Sequence, residues 1–516
     1  MHNLAVAYRK GEGTEADPVQ FFEWMKRAAE AGQADAMFNL AVAYRKGEGT
    51  DVDPVQFFEW TKRAAEAGQA QAMHNLAVAY RKEVGTAADP VQSFEWTKRA
   101  AEAGQAQDMY NLARAYLRGE GIPVDVKEYF TWVKEAAECR HMHASMLNHA
   151  YSVLRDGKVN PTDILLSNID ELLIAVNQIK QRHILDDGSY SANPNPGSNS
   201  ENTGPEIAHF TNFQTLEKML PAKQGNPFLL PDHHFRLYNA EYLNDPHEGC
   251  RIFQYMKAHP KFGELYLKLF NNLDTESAVS FLHEDLAVYI CSCTLCSDRL
   301  DLWRAYGNNG DGVCIVTPLS AFEDNMESSY AFVEYLKETH KSEGGLQAET
   351  GTEKSEAARE SSGQLSQTVP RLLYRVKYQD DEISAAIEDL QGPLQEIVEF
   401  MEKVKDKSQL KAIQKCVIFL ISDILYLYKN KEYQNEEEVR MVFAATIGHS
   451  MLELDEQNPG RLFMRTDGFL FTQPGSQIII GPRVKEKRAV ELNLKFRLNR
   501  HGFKDTRVMQ SKVAYR

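Results

Sequence analysis

Apolar positions in the first 150 residues recur in a unit of 36 residues. Each unit contains an amphipathic stretch such as MFNLAVAYRKGEG, a loop, and a second stretch such as DPVQFFEWTKRAAEAG. Three sets of large side chains keep this period: Trp24, Trp60, Trp96 and Trp132; Leu4, Leu40, Leu76 and Leu112; and Tyr8, Tyr44, Tyr80 and Tyr116. Because such a period is typical of solenoids built from one supersecondary unit per repeat, the pattern predicts an array of helical hairpins.

The second helix of each unit has clear start and stop signals. Asp53 is a good N-cap, Pro54 suits the first helical position, and Gln56 at the third completes a capping box. Gly68 follows this helix, where a left-handed C-cap is favoured. The hairpin prediction therefore has a physical basis at both ends of the helix.

The LAVAY…G…DP…W…AA…G pattern resembles Sel1-like repeats, a tetratricopeptide-related family, over about residues 1–155. The resemblance implies an α solenoid with a concave face that binds a protein partner, as in an adaptor or scaffold. The fourth unit loses the pattern at 139–143, and a degenerate first helix, MLNHAYSVLRDG, is expected to close the array. Met1 aligns with Met37, Met73 and Met109, so we expect a fragment or a start assigned too late.

Two low-complexity stretches divide the rest of the chain. Residues 186–205 are rich in Ser, Asn, Gly and Pro and predict a flexible linker. A second stretch at about 337–370 predicts a disordered insertion inside the domain around it. We therefore predict a repeat array with its end cap over 1–185, including a helical stretch at 163–183, and a further domain over 206–516.

The hydrophobic pattern of this further domain is mixed. Alternating or β-branched stretches predict strands at 207–211, 286–294, 312–317, 372–378, 438–444, 468–472 and 477–480. Longer periodic stretches predict helices at 213–220, 249–259, 263–273, 382–403 and 408–428. The predicted fold class is an α solenoid followed by an α+β domain.

Composition narrows the classes of function. Hydrophobic residues make up 43% and charged residues 25% of the chain, which is typical of a soluble globular protein. A net charge of −15 argues against bulk electrostatic binding to nucleic acid or anionic lipid. The most apolar stretch, 416–428, is too short to span a bilayer, and no signal peptide is recognisable. We expect no membrane association, and either a cytoplasmic protein or an effector secreted without a recognisable signal.

Five segments of the second domain carry a resemblance to a known family. They are HFTNFQTLEKML from His209, LNDPHEG from Leu243, LWRAYGNNGDGVCIV from Leu302, YQNEEEVRMVF from Tyr433 and IIIGPRV from Ile478. In this order they resemble the bacterial domain of unknown function 2971 (DUF2971), over about 207–516. The resemblance implies a family but no activity.

His209 on an early strand, and Glu436 and Glu438 before a late strand, resemble the ADP-ribosyltransferase fold. This resemblance implies NAD as a co-substrate and a contact between His209 and its ribose. It further implies that Glu438 is catalytic, stabilising positive charge at the anomeric carbon as nicotinamide leaves. Glu436, expected two residues earlier on the same strand face as Glu438, would orient the target nucleophile or help to deprotonate it. The structural alternatives are a solvated strand entrance or a Glu438–Arg440 ion pair, with His209 capping the following helix.

Three aromatic residues, Tyr238, Trp303 and Tyr306, are candidates to stack on nicotinamide. The alternative for Trp303 and Tyr306 is a place in the hydrophobic core.

Asn244, Asp245 and Glu248 are candidates for substrate contact. With Pro246 at the first helical position, they also fit a helix N-terminus without any ligand.

The seven cysteines, an odd number, favour reduced thiols over a disulfide framework. Cys291, Cys293 and Cys296 suggest zinc, and alternation places Cys291 and Cys293 on one strand face. No second Cys or His pair completes a tetrahedral set nearby in sequence, so we expect buried thiols and no metal.

Together these patterns favour a repeat-guided protein that modifies a target, through NAD-dependent ADP-ribosyl transfer of the toxin, effector or phage-defence type. The alternative is a non-enzymatic scaffold or adaptor in which both halves bind partners. Processing of nucleotides or nucleic acid in the same cleft is a third hypothesis. The sequence does not decide whether the second domain is an enzyme.

Overall fold

The computed structural model describes residues 1–11, 13, 15–139, 141–185, 206–220, 236–240, 249–270, 286–319, 373–446, 452–455, 460–465 and 475–515. These residues divide into two compact units. The first contains Met1–His149 and Pro161–Ser167, and the second contains Ala150–Asn160 and the described residues from Asn168 onward. The predicted linker at 186–205 and the predicted insertion at 337–370 lie outside the described residues.

The first unit is the predicted array of helical hairpins, and the α solenoid is confirmed. Its helices are α1 (His2–Lys10), α2 (Pro18–Glu30), α3 (Ala34–Lys46), α4 (Pro54–Glu66), α5 (Ala70–Lys82), α6 (Pro90–Glu102), α7 (Ala106–Arg118) and α8 (Val126–Glu138). Asp53 accepts hydrogen bonds from the amides of Val55 and Gln56, each at 3.0 Å, so it caps α4 as predicted.

Successive repeats interlock through aromatic and small residues. Phe58 on α4 meets Tyr80 on α5 edge to face, with ring centroids 5.3 Å apart, and the same contact recurs one repeat earlier and one later. Leu40 and Leu76 are fully buried. The guanidinium of Arg63 lies 4.6 Å above the Trp60 ring and covers its outer face. The 36-residue period is therefore the period of a continuous core.

A glycine in each loop sets how closely the repeats approach. Gly85, at φ 70°, lies against the start of α4, and a Cβ at this position would stand 2.0 Å from the carbonyl oxygen of Pro54. Gly104 also has a positive φ of 89°, but a Cβ there would meet nothing within 4 Å. The two glycines thus separate the requirement for a left-handed backbone from the requirement for close contact.

We expect Gly85→Ala to destabilise the array by about 2–4 kcal/mol, because the clash is with backbone and adds to left-handed strain. Gly104→Ala should cost only about 1 kcal/mol, the strain alone. Urea unfolding followed by circular dichroism measures both. Equal losses in the two variants would show that close packing at Gly85 is not a constraint.

The second unit contains a mixed sheet of ten strands, which agrees with the predicted α+β class. The strands are β1 (Glu206–Thr211), β2 (Arg236–Asn239), β3 (Leu286–Thr294), β4 (Val313–Pro318), β5 (Tyr374–Arg375), β6 (Glu438–Thr446), β7 (Glu453–Leu454), β8 (Leu462–Arg465), β9 (Gln477–Ile480) and β10 (Arg507–Gln510). The order is β10-β9-β4-β1-β3-β2-β8-β7, while β6 joins β3 to β5. Only β9 and β10 are parallel among these pairs.

Strand β3 is the branch point of the sheet. One edge pairs with β6 along its whole length, from Leu286↔Thr446 to Thr294↔Glu438. The other edge is shared by two strands, since β2 pairs at Tyr289 and Ile290 and β1 pairs only at Thr294. Between these contacts, residues 291–293 have no strand partner on that edge among the described residues. The sheet therefore has an opening beside the middle of β3.

The described residues contain nine further α-helices. They are α9 (Met142–Asp156), α10 (Asp163–His183), α11 (Phe213–Met219), α12 (Arg251–Ala258), α13 (Gly263–Phe270), α14 (Leu300–Ala305), α15 (Asp380–Lys403), α16 (Lys407–Leu425) and α17 (Lys487–Arg500). The sequence pattern does not predict α14, α17, β2, β7, β8 or β10. The predicted strand at 468–472 lies outside the described residues. No helix in the described part of the chain is long and apolar enough to cross a membrane.

Helix α10 differs from its predicted place in the end cap of the repeats. From Asn168 onward it belongs to the second unit. The Lys180 ammonium bonds the Asp423 carboxylate of α16 at 2.5 Å, and Nδ1 of His183 bonds the carbonyl oxygen of Arg375 at 2.7 Å. These largely buried polar groups find their partners in the second unit, which therefore includes α10 from Asn168 onward.

Candidate functional site

The opening beside β3 contains a cavity of about 380 Å³. Its walls come from β1, β2, β3, β6, α14 and a short 3-10 helix, Lys431–Glu436. The polar and aromatic side chains that line it are His209, Phe210, Thr215, Arg236, Tyr238, Asn239, Cys291, Ser292, Cys293, Thr294, Tyr306, Lys429, Tyr433, Glu436, Glu438, Arg440 and Arg461. A concave site with convergent charged groups is the general form of a ligand pocket.

Five residues singled out from the sequence meet in this cavity. His209, Tyr238, Tyr306, Glu436 and Glu438 all line it, although they are spread over more than 200 positions of the chain. The strands β1, β2 and β6, which carry His209, Tyr238 and Glu438, all pair with β3, so these residues lie around the same opening. The predicted site residues Asn244, Asp245 and Glu248 lie outside the described residues.

Trp303 does not belong to the cavity, so the alternative place in the core is the correct one. Its ring is fully buried and meets Phe210 edge to face, with centroids 4.9 Å apart. The indole Nε1 donates a hydrogen bond to Asp298 at 2.7 Å. Both the ring and its polar atom are therefore occupied by the fold, and only Tyr238 and Tyr306 remain as candidates for stacking.

Glu438 and Arg440 form a buried ion pair at the start of β6. Nε of Arg440 donates to Oε1 of Glu438 at 2.7 Å, and Nη2 donates to Oε2 at 2.8 Å. Alternation along the strand places the two side chains on one face. Because Glu438 is only 5% exposed, the solvated strand entrance is wrong for this residue, whereas the ion pair with Arg440 is present.

Lys429 links Glu438 to Glu436. Its Nζ lies 3.0 Å from a carboxylate oxygen of each residue. The Tyr306 hydroxyl donates a hydrogen bond to the other carboxylate oxygen of Glu436. Glu436 itself ends the 3-10 helix, and Glu437 follows with a left-handed φ of 44°, so the expected position of Glu436 on the strand face of Glu438 is wrong. The ammonium, and not strand alternation, brings the two carboxylates together.

These contacts set the protonation states of Glu438 and Tyr306. Burial alone would raise the pKa of Glu438, but the charges of Arg440 and Lys429 lower it to about 2. Glu438 is therefore a carboxylate at any physiological pH. Burial and the neighbouring Glu436 carboxylate raise the pKa of Tyr306, which keeps its phenol protonated and able to donate.

His209 is held by β3 and does not cap a helix. Nδ1 donates to the carbonyl oxygen of Ser292 at 3.1 Å. The N-cap of α11 is Asn212, whose side chain accepts from the amide of Thr215 at 2.8 Å, so the capping alternative for His209 is wrong. Although burial opposes it, contacts with Cys291 and with the Ser292 carbonyl raise the pKa of His209.

Charged side chains of both signs line the cavity. Four cationic side chains among its described lining residues, Arg236, Lys429, Arg440 and Arg461, face two carboxylates, Glu436 and Glu438. Arg440 and Lys429 pair with these two carboxylates within the wall, and the guanidinium of Arg236 also lies 4.2 Å from the centroid of the Phe463 ring. Tyr238 adds a ring whose hydroxyl donates to Asp455 at 3.3 Å. Cations beside aromatic rings suit a molecule with phosphates and planar bases.

Family comparisons agree with this division of the chain. Residues 1–33, 34–69, 70–105 and 106–141 match the Sel1 repeat. Residues 302–441 match DUF2971, a protein family of unknown function. The chain carries Sel1 repeats and a DUF2971 domain. The DUF2971 match includes Tyr306, Glu436, Glu438 and Arg440, whereas His209 and Tyr238 precede it.

Solved structures with detectable similarity include repeat proteins. A Sel1 repeat protein from Oxalobacter formigenes is 26% identical over 31% of this chain and 66% of its own, with a TM-score of 0.29. A protective antigen of uropathogenic Escherichia coli with an SLR fold is 14% identical over 84% of this chain and 78% of its own, with a TM-score of 0.31. This chain thus covers just under two thirds of the first structure. The comparison with curated proteins gave no significant match.

The charge of Glu438 links stability to pH with a defined sign. Its pKa in the folded protein is about 2, below the ordinary value of about 4.3, so its stabilising contribution is complete above the ordinary value and is lost as the pH falls. When the pH is lowered from about 6 to about 3, the unfolding free energy of the wild type should fall by about 2 kcal/mol more than that of Glu438→Gln, which has no carboxylate to protonate at this position. Urea unfolding at each pH measures the difference.

The matched control for this experiment is Glu437→Gln. Glu437 is the adjacent glutamate, its side chain is half exposed, and it does not line the cavity. The control should follow the pH dependence of the wild type. An unchanged pH dependence in Glu438→Gln would contradict the lowered pKa.

Proposed function

We propose that the second unit binds NAD in the cavity beside β3 and transfers ADP-ribose to a target that the repeat array selects. One observation carries this proposal: His209, Tyr238, Tyr306, Glu436 and Glu438, singled out through the resemblance to the ADP-ribosyltransferase fold, line a single cavity. The proposal gives the buried charges of the wall a chemical purpose, because the reaction creates a positive charge that a carboxylate must face.

Glu438 supplies that carboxylate. In the reaction the bond between the anomeric carbon and the nicotinamide nitrogen breaks, the electron pair leaves with nicotinamide, and the ribose carbon becomes cationic. A fixed, ionised carboxylate in a cavity of low dielectric stabilises this charge without reorganising. The bidentate contact with Arg440 fixes the position of Glu438, and its low pKa keeps it ionised. With such a low pKa, Glu438 acts electrostatically and not as a general base.

Glu436 has the role of orienting the target nucleophile. It sits beside Glu438 through Lys429, and the Tyr306 hydroxyl fixes its other oxygen. The nucleophile bonds to the anomeric carbon and loses a proton in the same process, and a second carboxylate at this place favours its approach. Tyr306 and Tyr238 offer rings to nicotinamide, and Arg236 and Arg461 offer charge to the pyrophosphate.

The repeat array contributes the second half of the function. Sel1 repeats indicate a protein-interaction scaffold, and the array found here has four such repeats. We assign it the binding of a protein partner on its concave face, so that a particular target reaches the second unit. Selection by a separate domain raises the effective concentration of the target without any demand on the cavity.

A non-enzymatic adaptor is the competing function, and one contact favours it. Both oxygens of Glu438 are already engaged by Arg440 and Lys429, which is what a purely structural ion pair requires. In that case both units bind partners and the cavity has no turnover. The two functions differ in whether NAD is bound and consumed.

We expect Glu438→Gln to reduce NAD turnover by the full chain about 10²–10³-fold while NAD still binds, because the amide keeps the shape but lacks the charge. Nicotinamide release and transfer of labelled ADP-ribose to a host-cell lysate measure turnover, and calorimetry measures NAD binding. Circular dichroism checks that the variant is folded.

Glu437→Gln is again the control, since it changes a neighbouring glutamate outside the cavity, and it should retain full activity. Nicotinamide release without labelling would indicate a glycohydrolase or an absent target. A folded wild type that neither binds nor consumes NAD would sink the transferase proposal and leave the adaptor.

A further inference from the structure

The thiols of Cys291 and Cys293 meet the imidazole of His209 in the cavity. The proposed transfer gives these two thiols no role. One ligand atom from each of His209, Cys291 and Cys293 lies within 4.8 Å of the other two. Both cysteines are free, and each is 4% exposed. All seven cysteines of the chain are free, but among the described residues only this pair of thiols is grouped with a histidine in such a cluster.

The strand geometry explains how the three residues come together. Cys291 and Cys293 are two positions apart on β3, so alternation gives them the same face. His209 follows Ala208, which pairs with Thr294, and this register puts the histidine beside Cys293. The Sγ of Cys293 lies 3.9 Å from Nδ1 of His209. Since β1 pairs with β3 only at Ala208, the next residue, His209, lies where the opening begins, and its side chain lines the cavity.

We propose that His209, Cys291 and Cys293 form a zinc site with its fourth coordination position open to the cavity. Two cysteines and one histidine are a ligand set that catalytic zinc sites use. With Zn–S near 2.3 Å and Zn–N near 2.0 Å, a tetrahedral site has sulfur and nitrogen about 3.6 Å apart. The observed 3.9 Å between Sγ of Cys293 and Nδ1 of His209 is within a few tenths of an ångström of that value. Nδ1 would therefore bind the metal and give up its hydrogen bond to the Ser292 carbonyl, while Nε2 keeps its proton.

The charges of such a site balance inside the protein. Zn²⁺ displaces one proton from each thiol, and both protons leave to solvent. Two thiolates then neutralise the two positive charges of the ion, and a neutral imidazole completes the set. Burial of the ligands therefore carries no uncompensated charge, which is the condition for a metal in a shielded cavity.

This site differs from the one that the cysteine spacing suggests. Cys296 is not a member, since its sulfur lies 3.8 Å from Nη1 of Arg299 and it packs in a hydrophobic cluster with Trp303. The third ligand comes from β1 instead, more than 80 residues earlier in the chain. A histidine coordinates through one ring nitrogen and keeps the other as a hydrogen-bond donor. Zinc at His209 is therefore compatible with a ribose contact from the same ring.

The test uses the full chain and its metal content, and it does not depend on NAD. After incubation with Zn²⁺ and dialysis, we expect about one zinc per wild-type chain by mass spectrometry. The double variant Cys291→Ser, Cys293→Ser should retain almost none. Loading the wild type with Co²⁺ should produce intense visible bands typical of tetrahedral cobalt and thiolate-to-cobalt charge transfer, which needs no variant and no assumption about its folding.

Cys296→Ser and Cys139→Ser are the matched controls, since they remove a neighbouring thiol and the exposed thiol respectively. Both should keep the full zinc content, and His209→Ala should weaken zinc binding at least tenfold while the thiolate bands persist. Wild type without zinc above the level of the double variant, or a cobalt spectrum without thiolate bands, would overturn the proposal. Zinc lost equally in the controls would also overturn it.

Discussion

The unequal pairing of strand β3 is the constraint on which the second unit depends. Along one edge it is paired with β6 over nine residues, while the other edge carries β1 and β2 at separate places. Two strands that share one edge cannot both extend along it, so the middle of β3 faces an opening. The chemical groups found there are a consequence, because neighbouring positions on β1, β3 and β6 all reach the same space.

A buried ion pair is a poor source of stability, since desolvation offsets most of its Coulombic energy. The wall of the cavity nevertheless contains Glu438, Arg440 and Lys429, all under 9% exposed. Each has its partner, and the cost of removing one partner is large because the others would be left charged and buried. A fold that only needed packing would be served by apolar residues of the same volume. In the proposed function, these charges hold Glu438 ionised and fixed in position beside the ligand.

The fold class and most elements with strong patterns could be predicted from the sequence. The 36-residue period predicts the helices of the repeats, since Leu40, Trp60 and their counterparts recur at the same position in each repeat. Short edge strands such as β7 and β10 carry too few alternating residues to be distinguished from loops. The polar helix α17 has no apolar stripe, so its sequence lacks the period on which such a prediction depends.

Part of the cavity lining and the Glu438–Arg440 contact could be predicted from the sequence, whereas the other contacts could not. Chemistry selects His209 and Glu438, yet Lys429 and the link between the carboxylates depend on how the 3-10 helix turns back at Glu437, a non-glycine residue with positive φ. The same limit applies to the cysteines. The spacing of Cys291 and Cys293 indicates a shared face, whereas the histidine beside them is set by the register of β1, which no local pattern encodes.

Zinc and an anionic ligand make compatible demands on the cavity. A zinc ion with two thiolates and an imidazole has no net charge, so it would leave the charge of the wall unchanged. In the proposed function, Arg236 and Arg461 face the phosphates of the ligand with or without the metal. What the ion adds is an electrophile at the open position, close to where the ligand lies. The charge of the cavity would set which ligand enters, and the metal would set what can be polarised there.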